Sequence, residues 1–495
     1  MFLSDAVTAH FLAFDLGAES GRAMVGSLDG GVLALREVHR FVNDPIRQND
    51  SLRWDIVRLW EEIRRGLDLA SENRLQSVGV DCWGVDYALL DAAGELLEQP
   101  YHYRDRRTEG AMESVFERVP RERIYAATGI QFLSINTIYQ LAAACRHTPE
   151  VIDAARSLAT IPDILNYWLS GKLVSEYTIA TTTQMVDART RTWAIDLLNE
   201  IGLPSRLLQP IVEAGTVIGT LRPTASTTGA GIPIVAPACH DTGSAVASVN
   251  ASAPVAFLSS GTWSLLGTEV REPVITPRAL ALNFTNEGGV YGTTRLLKNI
   301  AGLWLLQSCR RQWQSRGEVF SYETLIAAAT DDRRAFRALI DPDDPRFVNP
   351  EDMPVAISEY CRQTGQPQPD GPASFTRAIL ESLAFKYRAV LESLEELIGH
   401  RFEEIRIIGG GARNRLLSQW TADATGRTVT AGPVEATALG NVAVQMIATG
   451  AVGSLADARA VIDRSFPVER FEPLDADRWD AEYKRFQHYV EFTCA

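Results

Sequence analysis

The pattern of apolar and polar positions in the first ninety residues predicts a compact mixed α/β unit. An apolar run over residues 10–15 predicts a buried strand, residues 22–28 predict its hairpin partner, and residues 31–42 predict a third strand after a Gly-Gly turn. Residues 54–70 place apolar side chains on one face at helical spacing. Another strand follows and ends at Asp81.

The second half of the chain repeats this order of elements weakly. Residues 255–267 again predict strand, polar turn and strand, and residues 375–398 predict a long amphipathic helix. Residues 404–414 predict a strand that runs into three glycines, with a helix after them. We expect two α/β domains, 1–250 and 251–495, separated by the small and polar segment 248–254, with a ligand cleft between them.

Composition and charge narrow the class of protein. The 48 basic and 62 acidic residues give a net charge of −14, which disfavours nucleic acid and anionic membranes as partners. Six separated cysteines without a C-x-x-C pair indicate reduced thiols, and the N-terminus lacks the pattern of a signal peptide. We therefore expect a soluble cytoplasmic protein.

The first predicted strand ends on an acid beside a glycine-containing turn. In "DLGAESGR", Gly17 and Gly21 allow close approach of a phosphate to backbone N–H groups, and Ser20 and Arg22 add donors. Asp15 can place a magnesium ion through water, since hard cations take oxygen ligands. The alternative is an ordinary hairpin turn with a solvated acid.

Two further glycine segments lie in the second half. "LSSGTWS" (258–264) offers hydroxyls and Gly261 as a second phosphate turn, although an ordinary hairpin turn has the same composition. "IIGGGARN" (407–414) lets a flat ring lie against the backbone, but it lacks the dinucleotide fingerprint, because Asn414 stands where glycine is required. The chain has no P-loop motif either.

Two segments of the first half suggest a sugar site. Asp241, in "PACHDTGSA", can act as a general base toward a hydroxyl, although aspartate at this place in a sequence is also typical of a helix N-cap. Trp83 and Gly84 can form a wall against the apolar face of a sugar ring, with a buried core tryptophan as the alternative.

The order of these motifs resembles that of the FGGY family of carbohydrate kinases. The likeness covers about residues 10–475 and is carried by stretches such as "DLGAESGR", "DCWGVDYALLD", "SEYTIATTTQMVD", "CHDTGSA", "LSSGTWSL", "NFTNEGG" and "IGGGARN". It implies an α/β fold of two duplicated actin-like, hexokinase-like (ribonuclease H-like) domains that flank a cleft for ATP and sugar.

The resemblance also implies residue roles. Asp241 would be the base, and Gly84, His240 and Thr242 would contact the sugar. Asp15 would place Mg²⁺. The residues implied for ATP are Ala18, Glu19, Ser20, Gly21, Arg22, Thr262, Asn299, Gln307 and Gly410. Ala18 stands where many members have threonine, and Glu19 brings a negative charge into a phosphate turn, so we expect Glu19 to face solvent.

The implied reaction is ATP-dependent phosphorylation of the primary hydroxyl of a ketose, with L-rhamnulose at O1 favoured by the quoted stretches. L-fuculose and a pentulose such as L-xylulose or D-xylulose are the alternative substrates. A protein that keeps the actin-like fold but only binds sugar and nucleotide is the alternative from another class. Either a monomer or a homodimer is compatible with the sequence.

Overall fold

The computed structural model describes residues 8–226, 230–250, 254–332 and 334–494. Residues 1–7 of the N-terminal stretch and 251–253 of the predicted domain boundary lie outside them. The described residues form two compact units. The first consists of Met1–Asn250, Glu269–Leu296 and Ala436–Phe466, and the second of Ala251–Thr268, Leu297–Glu435 and Pro467–Ala495. The sequence domains 1–250 and 251–495 stay a prediction; in the structure, two later segments belong to the first unit.

The strands, numbered in chain order, are β1 (Ala9–Leu16), β2 (Ser20–Asp29), β3 (Val32–Val42), β4 (Ile46–Gln48), β5 (Ser51–Arg53), β6 (Leu75–Cys82), β7 (Tyr87–Leu90), β8 (Ser157–Thr160), β9 (Ser175–Glu176), β10 (Val186–Asp187), β11 (Thr192–Trp193), β12 (Ile211–Val212), β13 (Val217–Thr220), β14 (Pro233–Val235), β15 (Ala256–Ser260), β16 (Trp263–Val270), β17 (Thr285–Gly288), β18 (Thr294–Ala301), β19 (Glu404–Ile408), β20 (Thr428–Ala431) and β21 (Glu469–Phe471).

The α-helices are α1 (Ile56–Ala70), α2 (Ala111–Phe116), α3 (Arg121–Thr128), α4 (Thr137–His147), α5 (Pro149–Ala154), α6 (Ile161–Ser170), α7 (Tyr177–Thr182), α8 (Ile195–Ile201), α9 (Asp241–Ala247), α10 (Pro277–Ala281), α11 (Trp304–Ser315), α12 (Tyr322–Asp331), α13 (Met353–Gln363), α14 (Pro372–Ile398), α15 (Arg415–Thr425), α16 (Ala436–Ala448), α17 (Leu455–Ser465) and α18 (Ala476–Cys494). Short 3₁₀ turns lie at Arg106–Thr108, Ser205–Leu207, Pro345–Phe347 and Gly410–Arg413.

A six-stranded mixed sheet forms the centre of the first unit, in the order β13-β14-β6-β1-β2-β3. Strand β2 pairs antiparallel with both β1 and β3, whereas β6 pairs parallel with both β1 and β14. Strand β1 is apolar because both of its faces are covered: Phe14 packs in the core beside α1, and Phe11 packs in a second core beside α16. The first strands and helix predicted from the sequence are confirmed.

The second unit has the same local arrangement around β15. Strand β15 pairs antiparallel with β16 and parallel with β19, and β19 pairs parallel with β20. The hairpin β1–β2 with β6 and β14 shows this same order of pairings in the first unit. The predicted mixed α/β class, with a sheet in each half, is therefore confirmed. Among the described residues, no helix is both long and apolar enough to cross a bilayer.

Gly440 makes the close approach of α16 to α9 possible. A Cβ at this position would lie 1.7 Å from the carbonyl oxygen of Ser244, which is backbone and has no way to turn aside. We expect Gly440→Ala to lower the free energy of unfolding by at least about 2–3 kcal/mol, measured by urea denaturation. Gly453→Ala is the control, because the nearest atom there is a mobile carboxylate oxygen of Asp457 at 3.2 Å. Equal stability of the two variants would contradict the packing argument.

Candidate active site

Three segments of the first unit meet where the parallel strands of its sheet end. The amide of Trp83, just after β6, donates to the carbonyl of Leu16 at 3.1 Å, and the amide of Cys82 donates to the carbonyl of Cys239 at 2.9 Å. These bonds bring the ends of β1 and β6 beside the segment that enters α9. The carboxyl ends of parallel strands are the usual ligand edge of an α/β sheet. The predicted residues Asp15, Gly84 and Asp241 thus lie along one edge.

The turn between β1 and β2 is held by its own backbone and by Asn43. The Gly17 amide donates to the carbonyl of Ser20 at 3.0 Å, and the buried Asn43 side chain donates to the carbonyl of Gly17 at 3.0 Å. Glu19 is exposed, in agreement with the expectation that it faces solvent. Gly21 is buried, and a Cβ there would lie 2.2 Å from the Phe41 ring, so packing also requires this glycine.

Asp15 is buried at the end of β1 and forms an ion pair with Arg22. The two residues face each other across the antiparallel pairing of β1 and β2, which fixes their proximity. The guanidinium therefore balances the charge of the carboxylate. Binding of phosphate by Arg22 stays a prediction, and it would require the guanidinium to serve both groups or to move.

A second acid, Asp81, ends β6 directly beside Asp15. The two are partners in the parallel register, and Asp81 accepts a hydrogen bond from the Asn441 amide at 2.6 Å. Burial, reinforced by the negative charge of Asp15, raises the pKa of Asp81. Its Oδ1 is buried and accepts no hydrogen bond from any residue that the structure describes. The sequence analysis gave Asp81 no role, although its place at the end of an apolar strand matched that of Asp15.

Asp241 is the first residue of α9, and the N-cap position is taken by His240. The interpretation of Asp241 as an N-cap is therefore wrong. Its Oδ1 accepts hydrogen bonds from the Thr242 amide at 2.5 Å and the Thr242 hydroxyl at 3.1 Å, whereas Oδ2 accepts none from the described residues. The Asp241 side chain is 29% exposed. One carboxylate oxygen is thus fixed and the other is open, which suits a base.

Buried carboxyl groups hold the backbone that carries Asp241. Glu176 accepts a hydrogen bond from the Cys239 amide at 3.0 Å, and it also caps α7. Asp163 in turn accepts from the Glu176 amide at 3.1 Å. Burial raises the pKa of Glu176 to about 7 and that of Asp163 to about 8. Sequence reasoning missed both groups, because nothing in their local pattern distinguishes them from surface acids.

Gly84 begins a tight turn that is stabilised from several sides. The Asp86 amide donates to the carbonyl of Gly84 at 3.0 Å, which leaves Val85 between them at φ +69°, a strained conformation for a β-branched residue. The Thr182 hydroxyl accepts from the Val85 amide at 3.1 Å, and the Thr137 hydroxyl donates to the Val85 carbonyl at 2.5 Å. A strained turn held by tertiary contacts is typical of a binding site.

Trp83 is a core residue and forms no exposed wall for a sugar. It is 5% exposed, its ring centroid lies 4.2 Å from that of Trp54, and its indole N–H donates to Asp86 at 3.0 Å. Asp86 also accepts from Trp54 at 2.6 Å and from Gln140 at 2.9 Å. The apolar-wall interpretation of Trp83 is therefore corrected, and only Gly84 of that pair stays a candidate for contact with sugar.

The second glycine turn, between β15 and β16, is organised by the start of α11. The amide of Leu303 donates to the Gly261 carbonyl at 3.0 Å, and that of Trp304 donates to the Thr262 carbonyl at 3.1 Å. The Gln307 amide donates to the Thr262 hydroxyl at 3.3 Å, while its Oε1 is buried without a hydrogen bond. The structure thus joins the predicted ATP residues Thr262 and Gln307 within the second unit.

The third glycine segment packs against this turn. A Cβ at Gly411 would lie 2.1 Å from the Ser260 hydroxyl oxygen, so the two segments touch only because Gly411 has no side chain. Gly410 is exposed, and no atom lies within 4 Å of its Cβ position. An open, flat backbone surface at Gly410 fits the predicted contact with a nucleotide ring.

Asn299 is half-buried near the end of β18. The end of this strand is fixed by Asp343, which accepts from the Ala301 amide at 2.8 Å. Asp343 also lies 3.0 Å from the ammonium of Lys386, which pairs with Asp341 at 2.8 Å. The segment "DPDDP" (341–345) thus forms an ion-paired turn that supports the strand carrying Asn299.

The carboxylate groups of the first unit fit a metal ion that takes most of its ligands from a bound substrate. Within the described parts of the chain, no group of three or more His, Cys, Asp or Glu side chains could hold a metal ion by itself. Mg²⁺ is commonly bound by one or two carboxylates together with phosphate oxygens and water. Asp15 can supply such a carboxylate, and the turn at residues 17–22 lies next to it.

The chain matches the models of both domains of the FGGY family of carbohydrate kinases, the N-terminal domain over residues 10–247 and the C-terminal domain over residues 256–449. It therefore belongs to the FGGY family, and the resemblance found in the sequence is confirmed. It is a carbohydrate kinase by family.

Three relatives that match nearly the whole chain are rhamnulokinases. The chain is 48% identical over 486 residues to the rhamnulokinase of Bacteroides thetaiotaomicron, covering 97% of this chain and 99% of that protein. It is 44% identical to the rhamnulokinase of Oceanobacillus iheyensis, covering 92% and 97%. The rhamnulokinase of Pectobacterium atrosepticum is likewise 44% identical, with coverage of 97% and 96%.

Solved structures confirm the fold. A ligand-bound xylulose kinase from Lactobacillus acidophilus matches with a TM-score of 0.79 at 15% identity, covering 98% of this chain and 99% of that chain. A glycerol kinase from Plasmodium falciparum with ADP matches with a TM-score of 0.76 at 16% identity, covering 99% of both chains. The predicted actin-like α/β architecture is thereby confirmed.

The raised pKa of Asp163 predicts a pH-dependent stability. A carboxyl whose folded pKa is raised contributes stability below its unfolded pKa, and that stability is lost as the pH rises through the folded pKa of about 8. We expect the free energy of unfolding, measured by urea denaturation, to fall from pH 5 to pH 8 less steeply in Asp163→Asn than in the wild type. Asp29→Asn, at an exposed acid, is the control and should keep the wild-type slope. Identical slopes in all three proteins would contradict the assignment.

Proposed function

We propose that this protein transfers the γ-phosphoryl group of ATP to O1 of L-rhamnulose, giving L-rhamnulose 1-phosphate and ADP. The observation that carries the proposal is the open Oδ2 of Asp241, at the sheet edge shared with Asp15 and Gly84. Identity of 48% over nearly the whole chain to a rhamnulokinase supports the choice of sugar.

Asp241 is proposed to accept the proton of the attacking hydroxyl through Oδ2, while Thr242 holds Oδ1. A positioned base contributes about 10²–10⁴-fold to such a reaction. The Gly84 turn and the side chains of His240 and Thr242 would orient the sugar. Bound Mg²⁺ supplies charge neutralisation to the phosphates, and Asp15 would hold it. Positioning and charge neutralisation dominate phosphoryl transfer, so this set is sufficient.

The proposed ATP site has two sets of residues. The turn at residues 18–22 would bind phosphate oxygens, and Thr262, Asn299, Gln307 and Gly410 would complete the nucleotide site. Exclusion of water from the site would matter, because water competes with the hydroxyl for the phosphoryl group. The assignment of these residues rests on the family and on the sequence motifs.

A cytoplasmic location is part of the proposal. Among the side chains that the structure describes, Cys82, Cys145, Cys239, Cys309 and Cys361 are free, which is compatible with reduced thiols. A monomer or a homodimer stays the expected assembly.

The base assignment predicts a specific loss in Asp241→Asn. Asparagine keeps the shape and one acceptor oxygen but does not take up the proton, so kcat should fall by about 10²–10⁴-fold. Affinities for sugar and ATP, measured by calorimetry, should change little. Asp29→Asn should retain wild-type activity. Full activity of Asp241→Asn would refute the assignment.

The proposed sugar predicts a ranking of substrates. A screen of L-rhamnulose, L-fuculose, L-xylulose and D-xylulose, with ADP formation as the readout, should give the highest kcat/KM for L-rhamnulose. The phosphorylated position is read from the product by ³¹P-coupled NMR and should be C1. Equal kcat/KM for L-rhamnulose and L-xylulose would refute the specificity, and no ADP formation with any ketose would favour a binding protein without turnover.

A further inference from the structure

A fully buried arginine lies behind the His240–Asp241 segment. The Nε of Arg295, on β18, donates to the carbonyl of Gly288 at 2.8 Å, and its Nη2 lies 3.2 Å from the carboxylate of Glu287. Arg295 is 0% exposed. Two neighbours therefore fix the plane of the guanidinium, and Glu287 balances its charge. Sequence motifs gave no role to Glu287 or Arg295.

The guanidinium of Arg295 lies against one ring nitrogen of His240. Arg295 Nη2 lies 3.0 Å from His240 Nδ1. All guanidinium nitrogens are donors, so the partner at this distance is the lone pair of an unprotonated Nδ1. A neutral imidazole without a proton on Nδ1 carries it on Nε2. A proton on Nδ1 would instead face an N–H group of Arg295.

Nε2 of His240 lies near the candidate base. His240 Nε2 lies 3.4 Å from Oδ1 of Asp241, the oxygen that also accepts from Thr242. In this tautomer a proton lies on the nitrogen near the carboxylate, which is electrostatically favourable. In the other tautomer, two lone pairs would meet there.

We propose that Arg295 is a positioning residue, which holds His240 in its Nε2–H tautomer, so that a proton and not a lone pair lies near Oδ1 of Asp241. The expected effect on the kinetics rests on the proposed function. The tautomer of His240 does not depend on whether the protein turns over substrate. Glu287 lies 3.3 Å from Nδ1 of His240. In the competing arrangement, the ring donates a hydrogen bond from Nδ1 to Glu287. An experiment must distinguish these two tautomers.

Nitrogen NMR of ¹⁵N-histidine-labelled protein reads the tautomer directly. His240→Gln assigns the signal. We expect an unprotonated Nδ1 and a protonated Nε2 in the wild type, and loss of this pattern in Arg295→Met. A proton on Nδ1 in the wild type, or the same pattern in Arg295→Met, would overturn the proposal. If Arg295→Met does not fold because Glu287 loses its counter-charge, the double variant Arg295→Met/Glu287→Gln replaces it.

A double-mutant cycle tests whether Arg295 acts through His240. Arg295→Lys keeps the charge beside Glu287 but loses the planar fork, so we expect kcat to fall by about 10-fold, with a smaller change in the KM for the sugar. In the His240→Gln background the same change should cost less than about 2-fold, since residues that act through each other are not additive. Additive losses would overturn the proposal.

Arg459→Lys is the matched control for this cycle. Arg459 pairs with Glu269 at 2.6 Å within the same unit, and its recorded contacts are with Glu269 and the carbonyls of Val246 and Ala247. We expect wild-type kinetics and the wild-type His240 signal. If the wild-type protein phosphorylates no ketose, the proposed function fails, and the NMR result still decides the tautomer.

Discussion

The site depends on the concentration of carboxyl groups at one edge of the sheet in the first unit. Asp15 and Asp81 are register neighbours, and their charges and that of Asp241 act on one another. Coulomb repulsion at such short range is strong wherever water is excluded. The surroundings differ at each group: Arg22 pairs with Asp15, burial and the charge of Asp15 raise the pKa of Asp81, and Thr242 donates to Asp241.

This constraint has a consequence for ligand binding. A polyphosphate brought to an acidic edge is repelled unless a cation and fixed donors accompany it. In the proposed site, the backbone turn at residues 17–22 and a Mg²⁺ ion held by a carboxylate would therefore be complementary requirements. The exposed position of Glu19 fits this view, because another inward charge in the turn would add to the repulsion.

Much of the fold and part of the site could be predicted from the sequence, for identifiable reasons. The apolar periodicity of β1, β2 and α1 reports burial directly, and the glycine turns have local signatures. Asp81, Glu176 and Arg295 were missed because their roles arise from neighbours far away in the chain, such as Asn441 for Asp81 and Cys239 for Glu176. Trp83 was ambiguous because core and ligand-facing tryptophans have the same local sequence.

The buried acids Glu176 and Asp86 show why such groups are kept in this unit. Both have raised pKa values. Folding is therefore less favourable when either side chain is ionised than it would be with a neutral side chain of the same shape. Each nevertheless accepts several hydrogen bonds from separate segments: Glu176 joins α7 to Cys239, and Asp86 joins Trp54 to Gln140. A carboxylate has about four acceptor positions, more than an apolar or amide side chain of this size. It can therefore fix two segments together, as Glu176 does for the start of α7 and the segment that leads to Asp241.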